Sequence, residues 1–117
     1  MKTPTLILGL IVTLNLTATH ASFFTGQDMM DWINAYRRIE ANTMLSNDYQ
    51  KGGQLEGFVA GVVGAVEDTL ICLPSDVTLK QMIGMVDIYV RNNPDKWNWP
   101  ADKLVVNAIS PTYRCKR

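Results

Sequence analysis

Residues 57–74 read GFVAGVVGAVEDTLICLP, a mostly apolar stretch that ends in a cysteine and a proline. The ten positions from Gly57 to Val66 carry no polar side chain, and as a helix they would cover about 15 Å. The hydrocarbon core of a membrane is about 30 Å thick, and the acidic pair Glu67-Asp68 follows directly. The stretch is therefore too short to span a membrane. It predicts a helix that is buried at the centre of a small helical domain.

Three glycines, Gly57, Gly61 and Gly64, recur along that helix at spacings of four and three. A glycine inside a helix costs about 1 kcal/mol relative to alanine, so three of them require an explanation. They are explained if another helix backbone crosses closely over them. Packing within the chain is the simpler expectation, and a homodimer is the alternative, because the spacing does not say which helix crosses.

The N-terminus has the organisation of a secretory signal peptide. Lys2 precedes an apolar segment from Leu6 to Leu16, and the triplet Thr19-His20-Ala21 has the small-x-small pattern of a cleavage site. We expect cleavage after Ala21, which divides the chain into a signal peptide, residues 1–21, and one mature domain, residues 22–117. An uncleaved membrane anchor is the alternative, although the apolar segment is shorter than the roughly 20 residues of a spanning helix.

Charge and cysteine content narrow the class of protein. The chain has 11 basic and 11 acidic residues, so removing Lys2 with the signal leaves a net charge of about −1. This balance argues against a nucleic-acid partner, which usually requires a basic patch.

Cys72 and Cys115 are the only cysteines, and export favours a disulfide between them. Free thiols or a bridge between two chains are the alternatives.

The remaining sequence predicts helices and no strands. A small all-α bundle of about four helices, held by one disulfide, is the expected fold. A first helix is capped by Thr25, a polar loop follows over 46–53, and a second helix runs from Leu55 to Ile71. A third helix begins at the T-x-x-Q capping box of Thr78 and ends at Asn93-Pro94. A fourth helix runs from Pro100 to Pro111.

The mature sequence lacks the usual equipment of an enzyme. Its single histidine, His20, leaves with the signal peptide, so no Ser-His or Cys-His pair is possible. Zinc-ligand, phosphate-loop and dinucleotide motifs are absent as well. Glu67 and Asp68 are adjacent acids, and neighbours on a helix point about 100° apart. We therefore expect a non-enzymatic protein that needs neither a cofactor nor a metal.

The segment between the third and fourth predicted helices is the best candidate for a partner-binding site. Pro94 and Pro100 limit its conformational freedom, which lowers the cost of ordering it on binding. It carries two tryptophans, and tryptophan is a frequent hot spot of protein interfaces. The candidate residues are Asn93, Asp95, Lys96, Trp97 and Trp99. The alternative is that both tryptophan rings cover the core.

A set of short motifs in the second half of the chain resembles one known family. They are G-F-V-x-G (57–61), the acid at Asp68, C-x-P (72–74), V-T-x-x-Q (77–81), Y-V (89–90), N-P (93–94), P-A (100–101), L-V-V-x-A-I (104–109) and the final Cys115. In this order they resemble the Rap/Tai-type immunity proteins of type VI secretion. The resemblance covers about residues 55–115. A proline usually precedes the last cysteine in that pattern, whereas Arg114 stands here.

The resemblance implies a function that the residues alone do not give. It implies a periplasmic helical homodimer that binds and inhibits a peptidoglycan amidase delivered by neighbouring bacteria. The alternative from another class is a small periplasmic acid-stress chaperone, which is also a short helical dimer with one disulfide.

Overall fold

The computed structural model describes residues 2–4, 9 and 23–116. This part of the chain holds four α-helices and one short 3-10 helix, and its only β-type pairings are isolated bridges. The all-α prediction is confirmed. The helices are α1 (Gly26–Glu40), α2 (Asp48–Val66), α3 (Leu79–Asn92) and α4 (Ala101–Tyr113), and the 3-10 helix (Pro94–Lys96) lies between α3 and α4. The predicted signal peptide and its cleavage site lie outside the described residues, apart from residues 2–4 and 9.

Helix α1 begins where its capping residues predict. The backbone N–H of Thr25 donates to Oδ2 of Asp28 at 2.8 Å, which satisfies a group that the helix leaves unpaired. Its apolar positions recur every three or four residues, and Met29, Trp32 and Ile33 are buried against the other helices. The prediction of a first helix capped by Thr25 is therefore confirmed.

Helix α2 begins seven residues before the predicted Leu55, so the prediction of a polar loop over 46–53 is wrong. The reason is a contact with α1 that the local sequence does not reveal. A side chain on Gly52 would lie 2.9 Å from Cδ1 of Ile39, so glycine allows α1 and α2 to pack closely. Asp48 in the first turn is buried and bonded to Arg38 of α1, which holds the start of the helix in place.

Helix α2 also ends earlier than predicted, at Val66 rather than Ile71. Glu67 leaves the helix, and its Oε1 accepts the backbone N–H of Leu73 at 3.2 Å. Asp68 has a φ of 64°, which turns the chain away from the helix axis. Ile71 then enters the core with no exposed surface.

The expectation that α2 is buried on nearly all sides is wrong. Only one stripe of the helix, Leu55, Val59 and Val63, is buried in the core. The side that carries Gly57 and Gly61 is exposed. From Gly57 onward the exposed side of the helix consists of glycine and alanine rather than of charged residues, so one side is buried although the sequence there shows no polar face.

Helix α3 follows the sequence prediction closely. The Thr78 backbone N–H donates to Oε1 of Gln81 at 2.8 Å, and the Gln81 backbone N–H returns a bond to Oγ1 of Thr78 at 3.2 Å. The predicted capping box is thus present. Met82, Val86 and Val90 bury its inner face.

Helix α4 begins directly after Pro100, but it continues through Pro111 to Tyr113, so the predicted end is wrong. A proline inside a helix removes one backbone hydrogen bond and crowds the preceding turn. Only two helical residues follow Pro111, so the disruption affects the last turn alone.

The predicted disulfide joins Cys72 to Cys115, whose Cα atoms are 4.8 Å apart and 43 positions apart in sequence. Backbone hydrogen bonds reinforce this connection: the Cys72 N–H donates to the carbonyl oxygen of Tyr113 at 2.8 Å, and the Cys115 N–H donates to that of Leu70 at 3.3 Å. The C-terminal tail is thereby fixed to the segment that follows α2. Closing a loop of this length stabilises a small domain by roughly 4 kcal/mol on the chain-entropy estimate.

Within the described residues, no helix combines the length and the apolar character that crossing a membrane requires.

Candidate functional site

The candidate binding loop, residues 93–99, is an ordered turn rather than an open segment. Its centre is the 3-10 helix Pro94–Lys96, and the backbone N–H groups of Lys96, Trp97 and Trp99 all donate to carbonyl oxygens within the loop, at 2.9–3.3 Å. Asn93 fixes its start, because its side-chain amide donates to the carbonyl oxygen of Tyr89 at 2.7 Å. A loop that is already ordered loses little conformational entropy on binding a partner.

The structure separates the two tryptophans of this loop. Trp97 is half-buried against the core, and its indole N–H donates to the carbonyl oxygen of Val90 at 2.7 Å. Trp99 is 39% exposed. The Trp97 ring therefore covers the core, as the alternative expected of both rings. The Trp99 ring is exposed and can contact a partner.

Lys96 connects the exposed tryptophan to the end of α3. Its ammonium nitrogen lies 5.1 Å from the ring centre of Trp99 and 5.5 Å from that of Tyr89. The same nitrogen donates to the Tyr89 hydroxyl at 3.3 Å. A cation over an aromatic face is attracted by the ring, so Lys96 orients the Trp99 ring. Asp95 is exposed beside it and adds a negative charge to the surface of the loop.

The first residues of α1 bind the backbone of the candidate binding loop through hydrogen bonds. The N–H of Gly26 donates to the carbonyl oxygen of Trp99 at 3.0 Å, and that of Gln27 donates to the carbonyl oxygen of Trp97 at 2.8 Å. These are helix-terminal N–H groups that need partners outside the helix. A side chain at Gly26 would lie 2.8 Å from Cα of Trp97 and 2.6 Å from Cδ1 of Leu104. Glycine at this position is therefore required for the loop to dock on α1.

The glycine face of α2, defined by Gly57, Gly61 and Gly64, is the second candidate surface. A Cβ atom built on any of the three meets no other atom within 4 Å. The expected packing of another helix of the same chain over these glycines is therefore absent from the described residues. A groove of about 440 Å³ runs beside this face between α2 and α4, lined by Gly57, Phe58, Gly61, Val62, Ala65, Val66, Asp102 and Val106.

The acidic side chains of the described residues do not form a metal-binding cluster. No three His, Cys, Asp or Glu side chains in this part of the chain gather where they could hold a metal ion. Glu67 is engaged with the Leu73 backbone, and Asp68 is exposed on the turn that follows α2. The acidic pair thus shapes a turn and does not form a two-carboxylate site.

Comparison with known families identifies the family of this chain. The family model of the Rap1a immunity proteins matches residues 25–115, from the capping residue of α1 to the second disulfide cysteine. The chain belongs to this family. The family assignment covers α1 and the start of α2, where sequence motifs alone gave no resemblance. Comparisons with curated proteins and with solved structures gave no match.

Membership in the Rap1a immunity family indicates an immunity role, in which the chain binds an effector protein.

The sequence did not predict the role of Asp48, which fixes the loop between α1 and α2 of this Rap1a domain. Asp48 is only 2% exposed and accepts hydrogen bonds from the Arg38 guanidinium at 2.7 and 2.8 Å and from the Leu45 N–H at 2.7 Å. These bonds, first that from Arg38, lower the pKa of Asp48 to about 2. No sequence signal marks a buried carboxylate within the polar run SNDYQKGG.

Proposed function

We propose that this protein is a periplasmic immunity protein that binds and inhibits a type VI secretion amidase effector. The observation that carries the proposal is the Rap1a family match, which spans all four helices and both cysteines. The disulfide supports an oxidising compartment such as the periplasm, and the signal-like sequence of residues 1–21 supports export.

Inhibition in this proposal depends on the candidate binding loop. The loop is ordered before binding, it projects from the junction of α3 and α4, and it presents Trp99 and Asp95 to solvent. Such a loop can enter the substrate cleft of an enzyme, where the indole ring fills an apolar pocket and excludes water and substrate. Asn93 and Lys96 hold the loop in shape, and Trp97 anchors it to the core.

The glycine face supports a homodimer as the functional unit. An exposed apolar helix face without side chains beyond Cβ lets a second helix backbone approach closely. A large exposed apolar surface on a small domain also commonly marks an interface. In this proposal the α2 helices of two copies cross at Gly61, and each copy keeps its own binding loop free for an amidase.

Protection of living cells tests the function. Type VI amidase effectors, beginning with any that is encoded next to this gene, are exported one at a time to the periplasm of a test bacterium, with and without this protein, and survival is counted. We expect full protection by the chain of residues 1–117 and no protection by a chain without residues 1–21, which stays in the cytoplasm. Equal killing with and without the complete, exported protein contradicts the proposal.

A further inference from the structure

A groove between α1 and α3 is a candidate ligand site that shares no residue with the candidate binding loop or the glycine face. We refer to it as the α1–α3 groove. Its volume is about 390 Å³, within the range of about 300–1,000 Å³ that is typical of sites for small organic ligands. Ile33, Leu55 and Ile83 form its floor and are almost completely buried. Such an apolar floor can hold the apolar part of a small molecule.

The charged side chains that line the α1–α3 groove leave one positive charge without a partner. The Glu40 carboxylate pairs with Lys80 at 2.9 Å. The Asp87 carboxylate accepts hydrogen bonds from Arg91 of the same helix at 2.8 and 3.0 Å. Arg37 is exposed, and among the described residues no carboxylate pairs with its guanidinium. The charge of the groove therefore favours an anionic group on the ligand over a neutral or cationic one.

Tyr36 supplies a second hydrogen-bond donor in the α1–α3 groove. Its pKa is raised above the ordinary value, first by burial and then by the charges of Glu40 and Glu56, so the hydroxyl stays protonated at neutral pH. Glu56 is exposed on α2 and does not line the groove. The guanidinium of Arg37 presents paired N–H groups whose geometry matches a carboxylate. A carboxylate is therefore the anionic group that these donors suit.

Gly84 leaves space along the α3 side of the α1–α3 groove. It is exposed, and a Cβ atom built on it meets no other atom within 4 Å. Glycine inside a helix is less favourable than alanine, and no close contact within the described residues requires it here. On the α1 side the groove extends from Ile33 to Ala41, which corresponds to about 12 Å of helix. The space is long enough for an extended apolar chain that lies against the α3 backbone.

We propose that the α1–α3 groove binds a small amphiphilic carboxylate, such as a medium-chain fatty acid. The apolar chain lies over Ile33, Leu55 and Ile83, and the carboxylate binds the Arg37 guanidinium. This inference does not depend on the proposed function, because the groove is separate from both surfaces on which that function relies.

Calorimetric titration of the purified protein with octanoate tests this proposal. Octanol carries the same chain without a charge, and octylammonium carries it with the opposite charge. We expect octanoate to bind at a single site on each chain. Octanol and octylammonium should bind about ten-fold more weakly or worse, because neither offers the guanidinium a charged acceptor.

Two variants separate recognition of the carboxylate from recognition of the chain. Arg37→Gln should weaken octanoate binding about ten-fold and leave octanol binding unchanged. Gly84→Leu should abolish binding of both, because the leucine side chain fills the open space of the groove. Circular dichroism verifies that each variant keeps its helical fold.

Matched controls remove the same charge or add the same side chain outside the α1–α3 groove. Lys116→Gln removes one positive charge from the exposed C-terminal tail. Gly53→Leu adds a leucine at an open position of α2. Both controls should bind octanoate like the unmutated protein.

Several results would overturn the inference. They are the absence of octanoate binding to the unmutated protein, equal affinity for octanoate and octanol, and unchanged octanoate affinity of Arg37→Gln or Gly84→Leu. Binding of the peptide trileucine, which has a free carboxylate, without binding of octanoate would assign the groove to a peptide C-terminus and also overturn it. These measurements contain no amidase, so their failure leaves the proposed function intact.

Discussion

The indole N–H of Trp97 donates a 2.7 Å hydrogen bond to the carbonyl oxygen of Val90, near the C-terminal end of α3. This bond ties the candidate binding loop to the helix that precedes it. Two positions later, the indole N–H of Trp99 makes no such bond within the described residues, and the side chain is 39% exposed. The two tryptophans therefore have different tasks, since one fixes the loop and the other is available to a partner.

Replacing each tryptophan by alanine should separate these tasks. Trp97→Ala removes a half-buried ring together with the indole hydrogen bond to the Val90 carbonyl, which then keeps only the Asn93 N–H at 3.2 Å. We therefore expect a loss of about 2 kcal/mol or more in the free energy of unfolding. Trp99→Ala should change stability by less than about 1 kcal/mol. It should nevertheless reduce affinity for the amidase by about 30-fold, which corresponds to 2 kcal/mol. Chemical denaturation and calorimetry measure the two quantities. Unchanged affinity of Trp99→Ala removes this ring from the binding site.

Gly26→Ala should disturb the binding loop through its support on α1. The new methyl group would lie 2.8 Å from Cα of Trp97, so the loop must shift away from the helix. Alanine is otherwise the better helix former by about 1 kcal/mol, which makes any destabilisation informative. Gly53→Ala is the control, because nothing lies within 4 Å of its added Cβ. We expect a lower melting temperature for Gly26→Ala and an equal or higher one for Gly53→Ala. Equal melting temperatures for both variants would show that the loop does not depend on this contact.

Gly61→Leu tests the proposed homodimer without harming the single chain. Space around Gly61 is open within the described residues, so the leucine should be tolerated in a monomer. Across a close helix crossing, the same side chain would push two backbones apart. Light scattering at micromolar concentration should show a dimer for the unmutated protein and a monomer for the variant. Gly84→Leu, also open but on α3, should remain dimeric. A monomeric unmutated protein rejects the dimer.

The ion pair between buried Asp48 and partly exposed Arg38 predicts how the stability of the fold depends on pH. The pKa of Asp48 falls from 3.8 to about 2 in the folded protein, chiefly through the hydrogen bonds from Arg38, then through the Leu45 N–H and the charge of nearby Lys51. A lowered pKa means that the carboxylate stabilises the fold above about pH 4 and loses this effect as the pH falls towards 2. The melting temperature of the unmutated protein should therefore fall more steeply over this range than that of Asp48→Asn. Parallel curves for the two proteins would show that the ion pair does not contribute.

Local sequence was sufficient to predict the fold where each element carries its own signals. Thr25 with Asp28 and Thr78 with Gln81 mark two helix starts, and their apolar periodicity marks the buried faces. The pairing of Cys72 with Cys115 followed because the chain has no other cysteine.

Tertiary contacts decided what the sequence could not show. Gly52 and Gly53 suggested the end of a loop, yet both lie inside α2. At Gly52 the absence of a side chain allows Ile39 of α1 to pack against the helix, and this contact cannot be seen in the local sequence. The start of α2 also depends on the partner of Asp48, ten residues away in α1. The difference in burial between Trp97 and Trp99 also depends on a contact with another element, because the Trp97 indole N–H donates to the Val90 carbonyl of α3. Such features require three-dimensional neighbours that no local pattern records.

The most direct test of the immunity role is a titration of amidase activity. A purified type VI amidase effector against which the protein protects cells hydrolyses peptidoglycan while a chain of residues 22–117 is added in increasing amounts. We predict a linear loss of activity that reaches zero at one binding loop per enzyme, the behaviour of a tight stoichiometric inhibitor. Trp99→Ala should shift this line towards a shallow curve. Full amidase activity in the presence of a large excess of the unmutated protein would contradict the account.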